Sequence, residues 1–218
     1  MISNTSKKSL LACSAIALAA HSAWAGRPLS VDDANVNDKG AGHVEVWTAR
    51  EVGPSRTTTI APAYGLLDCL EVAAVFSRDR TASETLRGAS AKWRITASQE
   101  QGCNMAASLA LAKASGGAGR STVLNGVLSC NGLASASVHL NLGAVKATDV
   151  STKATWGIAI EREFGQFTPH AEWFGVEGIK PVFQIGARTQ LCKMVQIDGT
   201  VGRSQGESLY SLGFKFQF

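Results

Sequence analysis

The chain has 218 residues, with 21 Lys and Arg against 17 Asp and Glu and a formal net charge of +4. A balance so close to neutral gives no argument for a nucleic-acid partner. The apolar fraction is an average 45%, which does not exclude a membrane barrel because only alternate strand residues face lipid there. No uninterrupted apolar run reaches the roughly 18 residues that a membrane-spanning helix needs.

The first 25 residues have the layout of a secretory signal peptide. Lys7 and Lys8 precede an apolar stretch at residues 10–20, and Ala23-Trp24-Ala25 forms a small-x-small cleavage site. An N-terminal anchor helix is the alternative, but the apolar stretch is short for it. Cleavage after Ala25 removes 25 of the 218 residues and leaves 193, one domain's worth. The net charge then falls from +4 to +2, because two lysines leave and no acid does.

The rest of the chain is predicted to be almost entirely strand. Residues 26–42 are polar and irregular and are interpreted as a periplasmic N-terminal segment, and residues 43–218 as the folded domain. The best helical competitor, residues 104–113, also alternates with period 2 and is kept as a strand. Ten strands are the alternative to a count of twelve. The twelve predicted strands are residues 43–51, 57–65, 68–78, 86–97, 103–113, 120–130, 135–146, 153–163, 167–175, 181–190, 192–202 and 208–218.

The last nine residues are the most informative part of the sequence. Aromatic and aliphatic side chains alternate there with small or polar ones, so that one face of a strand is apolar. This pattern is typical of the closing strand of a transmembrane barrel, although a core strand of a soluble sandwich can show it too. The apolar face also resembles the C-terminal assembly signal that bacterial outer-membrane barrels present to the barrel assembly machinery. Its residues are Tyr210, Leu212, Phe214, Phe216 and Phe218.

These observations predict an all-β fold, an antiparallel transmembrane β-barrel of about twelve strands. Connections on one predicted side are on the whole shorter, as periplasmic turns are, for example 65–67, 131–133 and 190–191. Both chain ends then lie on the periplasmic side, which requires an even number of strands. The predicted location is the outer membrane of a Gram-negative bacterium, with outer-membrane lipid as a partner.

If the apolar parity faces lipid, the other parity lines a lumen. Charged residues fall on that inward parity, as expected from the cost of charge in the hydrocarbon region. Five acids there oppose four bases. The predicted lumen-lining residues are Glu45, Glu71, Lys92, Arg94, His139, Asn141, Glu161, His170, Glu172, Gln184, Arg188, Gln196, Asp198 and Lys215.

Two roles are open for these inward charges. Acids and bases can pair across the lumen and brace the barrel, because unpaired buried charge is costly. Alternatively they line a selective passage, since pore selectivity comes from rings of charged and hydrogen-bonding groups. A twelve-stranded lumen is wider than an eight-stranded one, which side chains fill, and narrower than an open porin channel.

Four cysteines remain after cleavage, and all lie at predicted periplasmic strand ends. Cys103 opens one strand and Cys130 closes its neighbour with the same parity, so that they can form a disulfide. Cys69 and Cys192 lie on strands far apart, which makes their pairing doubtful. A metal site is not expected, since there is no Cys-x-x-Cys and no His at ligand spacing.

No catalytic constellation is found. His139 and His170 are the strand histidines with lumen parity, and no Gly-x-Ser-x-Gly motif surrounds a candidate serine. We therefore expect neither an enzyme nor a cofactor, and interpret His139 as a hydrogen-bonded lumen residue.

Several short motifs resemble a family of outer-membrane proteins that is labelled after the phenol meta-cleavage degradation pathway. The resemblance spans nearly the whole mature chain and implies a barrel and, more weakly, transport of aromatic or other hydrophobic compounds. That family usually carries Thr where Val31 stands and an aromatic residue after the arginine at Arg188, so this chain is not a central member. The motifs lie at residues 27–34, 42–47, 138–143, 155–157, 171–175, 180–188 and 212–218.

The sequence thus favours a passive channel or transporter for small molecules, with hydrophobic or aromatic compounds among the candidate solutes. The alternative is a closed structural or surface-interaction barrel with a plugged lumen and no transport. An N-terminal segment folded into the lumen would act as a plug or gate, whereas one that hangs in the periplasm would not.

Overall fold

The computed structural model describes residues 26–115, 119–133 and 135–218. The predicted signal peptide, residues 1–25, lies outside the described residues. Within the described part of the chain, no helix has the length and apolar character needed to cross a membrane.

Twelve antiparallel strands close into a barrel in which each strand pairs with its chain neighbours and β1 pairs with β12. The twelve-strand prediction is therefore confirmed, and the ten-strand alternative is wrong. The strands are β1 Gly42–Arg50, β2 Arg56–Leu67, β3 Leu70–Asp79, β4 Glu84–Arg94, β5 Gly102–Ala114, β6 Arg120–Leu133, β7 Ala136–Ala147, β8 Lys153–Arg162, β9 Phe167–Val176, β10 Val182–Cys192, β11 Val195–Ser204 and β12 Glu207–Gln217.

The barrel closes where the start of β1 meets the end of the chain. Gly42 and Phe218 exchange backbone hydrogen bonds, each 2.9 Å from nitrogen to oxygen. The end of the barrel that carries these residues is called the terminal end here, and the opposite one the distal end. The first residue of β1 and the last residue of the chain lie on the same side of the barrel, as an even strand number requires.

Three turns expected at 65–67, 131–133 and 190–191 lie inside strands instead. The register shifts within β2, β6 and β10 at these places, so the extra residues form bulges before the chain turns. A bulge inserts a residue into one strand and bends it without ending the pairing. The residues in these stretches suit a bulge as well as a turn, which explains why the three turns are predicted a few residues too early.

The outer surface of the barrel is apolar. Large hydrophobic side chains project outward from strands around the barrel, among them Leu142 at 74% exposure and Phe214 at 54%. The predicted assembly-signal face of β12 is exposed along its length, and Phe216 stacks on Phe218 with ring centroids 6.4 Å apart. An apolar surface of this extent on a monomer indicates contact with lipid rather than water.

The disulfide between Cys103 and Cys130 is present and joins directly paired positions of β5 and β6. Cys69 and Cys192 are free thiols.

The segment before β1 lies inside the barrel. The sequence predicts residues 26–42 as a periplasmic N-terminal segment and leaves open whether this segment folds into the lumen. In the structure Gly42 begins β1, and Leu29, Val31 and Ala34 are buried among inward-facing side chains. A polar, irregular sequence suits this position, because its polar groups are satisfied by the polar lumen wall. Residues 26–41 are called the internal segment below.

Candidate functional site

The internal segment packs into the lumen through small apolar contacts. Leu29 and Val31 lie against Phe174 and Val182. Glycine on the wall makes room for the segment, since a Cβ added at Gly157 would lie 2.8 Å from Cγ2 of Val31. Further along, Ala34 packs against small residues of β5 and β6. The wall and the segment are therefore complementary in shape.

Backbone N–H groups of the segment donate to carboxylates of the wall. Oε2 of Glu172 accepts from the nitrogens of both Ser30 and Val31, each at 2.7 Å. Oε1 of Glu45 accepts from the backbone nitrogen of Arg27 at 3.0 Å. These two predicted lumen acids thus serve as acceptors for a chain segment that has no strand partner.

The middle of the segment binds β6 and β7 in the same manner. Asn141 makes a reciprocal pair with the backbone of Asp32, accepting its N–H at 2.8 Å and donating to its carbonyl oxygen at 2.8 Å. Ser129 accepts the N–H of Ala34 at 2.8 Å and lies 2.8 Å from Nδ1 of His139. His139 therefore orients a hydroxyl that holds the segment, in line with its expected hydrogen-bonding role.

Two ion pairs tie the segment to opposite parts of the wall. Lys92 on β4 contacts the Asp32 carboxylate at 3.0 Å. The guanidinium of Arg27 binds Asp198 on β11, with Nε 3.0 Å from Oδ1. All four side chains are buried. Removing one partner of such a pair would leave an uncompensated buried charge, which costs about 3–5 kcal/mol.

Two further ion pairs join wall residues to one another. Glu161 on β8 forms a two-pronged ion pair with Arg188 on β10. Glu45 lies 3.5 Å from Lys215, its register partner on β12. Pairing across the lumen is one of the two roles that the sequence leaves open for the inward charges. Instead these pairs run along the wall, and the internal segment occupies the space between opposite walls.

Of the other predicted lumen residues, most lie inside the lumen and one lies at its rim. Gln184, Gln196 and His170 are buried on the inward face, and Gln184 donates to Glu172 at 2.7 Å. Glu71 is half-buried and accepts the N–H of residue 37 at 2.9 Å. Arg94, in contrast, lies at the terminal rim and donates to the carbonyl oxygen of residue 68, so it does not line the middle of the lumen.

Two cavities remain on either side of the first turn of the segment. A cavity of about 310 Å³ lies toward the terminal end and has a polar lining of mixed charge that includes Glu71, Arg188 and Lys215. A smaller cavity of about 70 Å³ lies toward the distal end. Arg27 and Leu29 line both cavities. The chain between these residues is therefore what separates the two compartments.

The distal cavity is bordered by Glu51, in the connection after β1. Its carboxylate accepts a hydrogen bond from Oγ1 of Thr57 at 3.2 Å. Burial raises the pKa of Glu51 to about 7, against the opposing effect of that hydrogen bond. The charge at this mouth of the lumen thus changes near neutral pH.

Sequence reasoning missed the residues that the segment itself contributes. Arg27 and Asp32 each supply one partner of a buried ion pair. Trp47 on β1, whose parity already indicates the lumen, has its ring 5.2 Å from the guanidinium carbon of Arg27. The available signal for a segment inside the lumen was twofold. The stretch has no strand pattern but carries an arginine and an aspartate, and the predicted lumen wall has more acids than bases. Among the described residues, no group of three or more potential metal ligands converges.

The barrel resembles solved outer-membrane channels in fold. The structure of the KdgM porin matches with a TM-score of 0.71 at 11% identity, over 81% of this chain and 99% of that one. The NanC porin matches with a TM-score of 0.62 at 8% identity, over 80% and 98%. The COG4313 outer-membrane channel from Pseudomonas putida F1 matches with a TM-score of 0.58 at 12% identity, over 85% and 98%. At such low identities these structural matches show the fold alone and leave the solute open.

No curated protein matches the chain. The label of the phenol meta-cleavage pathway is not carried by any of these matches and stays a prediction. A family model described as "Uncharacterised conserved protein UCP029691" matches residues 13–209, nearly the whole sequence. The chain belongs to this family.

Proposed function

We propose that the protein is an outer-membrane channel for small solutes that rests closed, with the internal segment as its gate. The observation that carries this proposal is how residues 26–37 are held. In the described chain they make no backbone-to-backbone hydrogen bond with any strand, and they rely on side-chain acceptors and ion pairs. Leaving the lumen would therefore break no sheet ladder.

Residues 38–41 differ from the rest of the segment. Gly40 donates to the carbonyl oxygen of Gly65 at 3.0 Å, and Gly65 donates to that of Ala41 at 2.9 Å. These bonds anchor the base of the segment to the end of β2. An anchored base, and a remainder held by side chains rather than by a sheet ladder, are what a hinged gate requires, since hinges are a few residues at the ends of elements.

The wall behind the segment supports a passage rather than a solid core. Small inward side chains line it, including Ala61, Ala63, Ala106 and Ala110. Twelve strands enclose more space than such side chains can fill. With the segment displaced, the two cavities would join into one path lined by charged and amide groups. Such a lining favours polar solutes over the aromatic ones that the sequence resemblance implied.

The second candidate is a permanently closed structural barrel. The sideways ion pair between Glu161 and Arg188 favours it, because it braces the wall without the segment. Under this candidate the segment is a permanent filling that never leaves.

Solute flux into proteoliposomes separates the two candidates. The mature protein and a variant lacking residues 26–37 would be reconstituted at equal density, and swelling in a small sugar such as arabinose would be measured. The channel proposal predicts slow swelling for the intact protein and fast swelling for the deletion variant. A folded, inserted deletion variant with no more flux than empty liposomes would favour the structural barrel.

A further inference from the structure

The guanidinium of Arg27 lies in a slot formed by three neighbouring strands. Trp47 on β1 is the register partner of Gly213 on β12, and Gly213 is the register partner of Asp198 on β11. An indole ring, a residue without a side chain and a carboxylate therefore follow one another in a single row across the wall. Ser211 on β12 adds a hydroxyl next to this row.

Each wall of the slot contacts the guanidinium. Asp198 accepts from Nε at 3.0 Å, and Oγ of Ser211 accepts from Nη2 at 3.0 Å. The ring of Trp47 lies 5.2 Å from Cζ, within the range of a cation–π interaction. A Cβ at Gly213 would lie 2.7 Å from Nε, so the absence of a side chain there creates the slot.

The slot retains capacity to bind a cation. The Asp198 side chain is fully buried, and its Oδ2 has no hydrogen-bond partner among the described residues. Buried acceptors are normally satisfied, so an unpartnered carboxylate oxygen indicates room for another donor. The chain next to the slot also separates the two cavities, so a solute passing between them would meet it.

From this geometry we infer that Trp47, Gly213, Asp198 and Ser211 form a binding site for planar organic cations of the guanidinium type, which Arg27 occupies in the closed state. The inference rests on the proposed function and names its solute class. A soluble guanidinium compound competes with Arg27 for the same carboxylate, hydroxyl and ring face. Its binding therefore favours release of the internal segment, because a ligand shifts an equilibrium toward the state that binds it better.

Binding can be measured separately from conduction. The Arg27→Ala variant vacates the slot, and methylguanidinium would be titrated into the detergent-refolded protein by calorimetry. N-methylurea, which has a similar shape and no charge, is the matched control ligand. We expect methylguanidinium to bind and N-methylurea not to bind. Intact protein should bind methylguanidinium about ten-fold or more weakly, because the tethered Arg27 competes at high effective concentration.

A second substitution locates the site. Adding Asp198→Asn to Arg27→Ala should weaken binding about 30-fold or more, the effect of removing one partner from a buried charge pair. Adding Glu163→Gln, at an exposed position between β8 and β9, should leave binding unchanged. Folding of each variant would be verified by the heat-dependent gel mobility of intact barrels.

The outcomes separate this inference from the channel proposal. No binding by a folded Arg27→Ala variant, or equal binding after Asp198→Asn, overturns the cation site whatever the flux results are. Selective binding together with a non-conducting deletion variant supports the site and contradicts the channel. Selective binding together with an increased opening rate of the intact protein in methylguanidinium supports both.

Discussion

Gly157 on β8 and Val31 in the internal segment are packed so closely that no side chain fits between them. A Cβ at Gly157 would lie 2.8 Å from Cγ2 of Val31 and 3.2 Å from Cβ of Phe174. The barrel wall is thus shaped around a segment that is not part of its sheet. This fit between wall and segment gives the first prediction.

Gly157→Val should push Val31 away from the wall and destabilise the closed state by about 1–3 kcal/mol, the usual cost of overpacking. The measurement is the fraction of time that single channels spend open in planar bilayers, which should rise. Gly126→Ala on β6 is the control, because a Cβ there meets only ordinary contact, at 3.5 Å. An unchanged open fraction in a folded Gly157→Val protein would mean that the segment does not gate the lumen.

Glu172→Gln should loosen the same part of the segment. The carboxylate accepts two backbone N–H groups, and an amide cannot do so while still accepting from Gln184. A lost or unsatisfied buried hydrogen bond costs about 1–3 kcal/mol. Hydrogen exchange at Ser30 and Val31 should accelerate accordingly, by about 5- to 150-fold.

Glu163→Gln is the control for that measurement, since Glu163 is an exposed residue between β8 and β9. In the Glu163→Gln protein, the hydrogen-exchange rates at Ser30 and Val31 should match those of the unmodified protein. Equal protection of both amides in the Glu172→Gln protein would show that this carboxylate does not hold the segment.

Deleting Phe218 should impair assembly of the barrel. The deletion removes both backbone hydrogen bonds with Gly42 and the stacked contact with Phe216 at the closing seam. The measurement is the level of folded protein in outer-membrane fractions, with an alanine substitution of exposed Phe76, distant from the seam, as a control. Normal levels of the deletion variant would argue against an assembly role for this terminus.

The cysteines give a chemical test of the fold. In the denatured, unreduced mature protein, a maleimide should modify two thiols, those of Cys69 and Cys192. After reduction it should modify four, because Cys103 and Cys130 become available. Mass spectrometry counts the additions, and four additions before reduction would contradict the disulfide between Cys103 and Cys130.

The barrel could be predicted from the sequence because period-2 alternation records which face of each strand is apolar. The strand count and the β5–β6 disulfide followed from that pattern together with turn spacing. Strand ends at the bulges were misplaced by a few residues, since the residues that suit a bulge also suit a turn.

The internal segment could not be predicted in the same way. Its contacts join residues far apart in sequence, such as Arg27 with Asp198 and Asp32 with Lys92. No local periodicity encodes them, because each partner is individually compatible with exposure to water. The inward parity of Glu172 was predictable, but its role as acceptor for Ser30 and Val31 appears only once the segment is in place.

Single-channel conductance tests the gate most directly. Three forms would be compared: the intact mature protein, a variant lacking residues 26–37, and Ala34→Cys/Ser129→Cys. In the last form cysteines replace the two residues of a close contact, in which Oγ of Ser129 lies 2.8 Å from the nitrogen of Ala34, and the form counts as locked once mass spectrometry shows their disulfide. The account predicts a persistently conducting deletion variant, rare openings of the intact protein, and no openings of the locked form until it is reduced. An inserted deletion variant that stays silent, or a locked form that conducts as the deletion variant does, would contradict it.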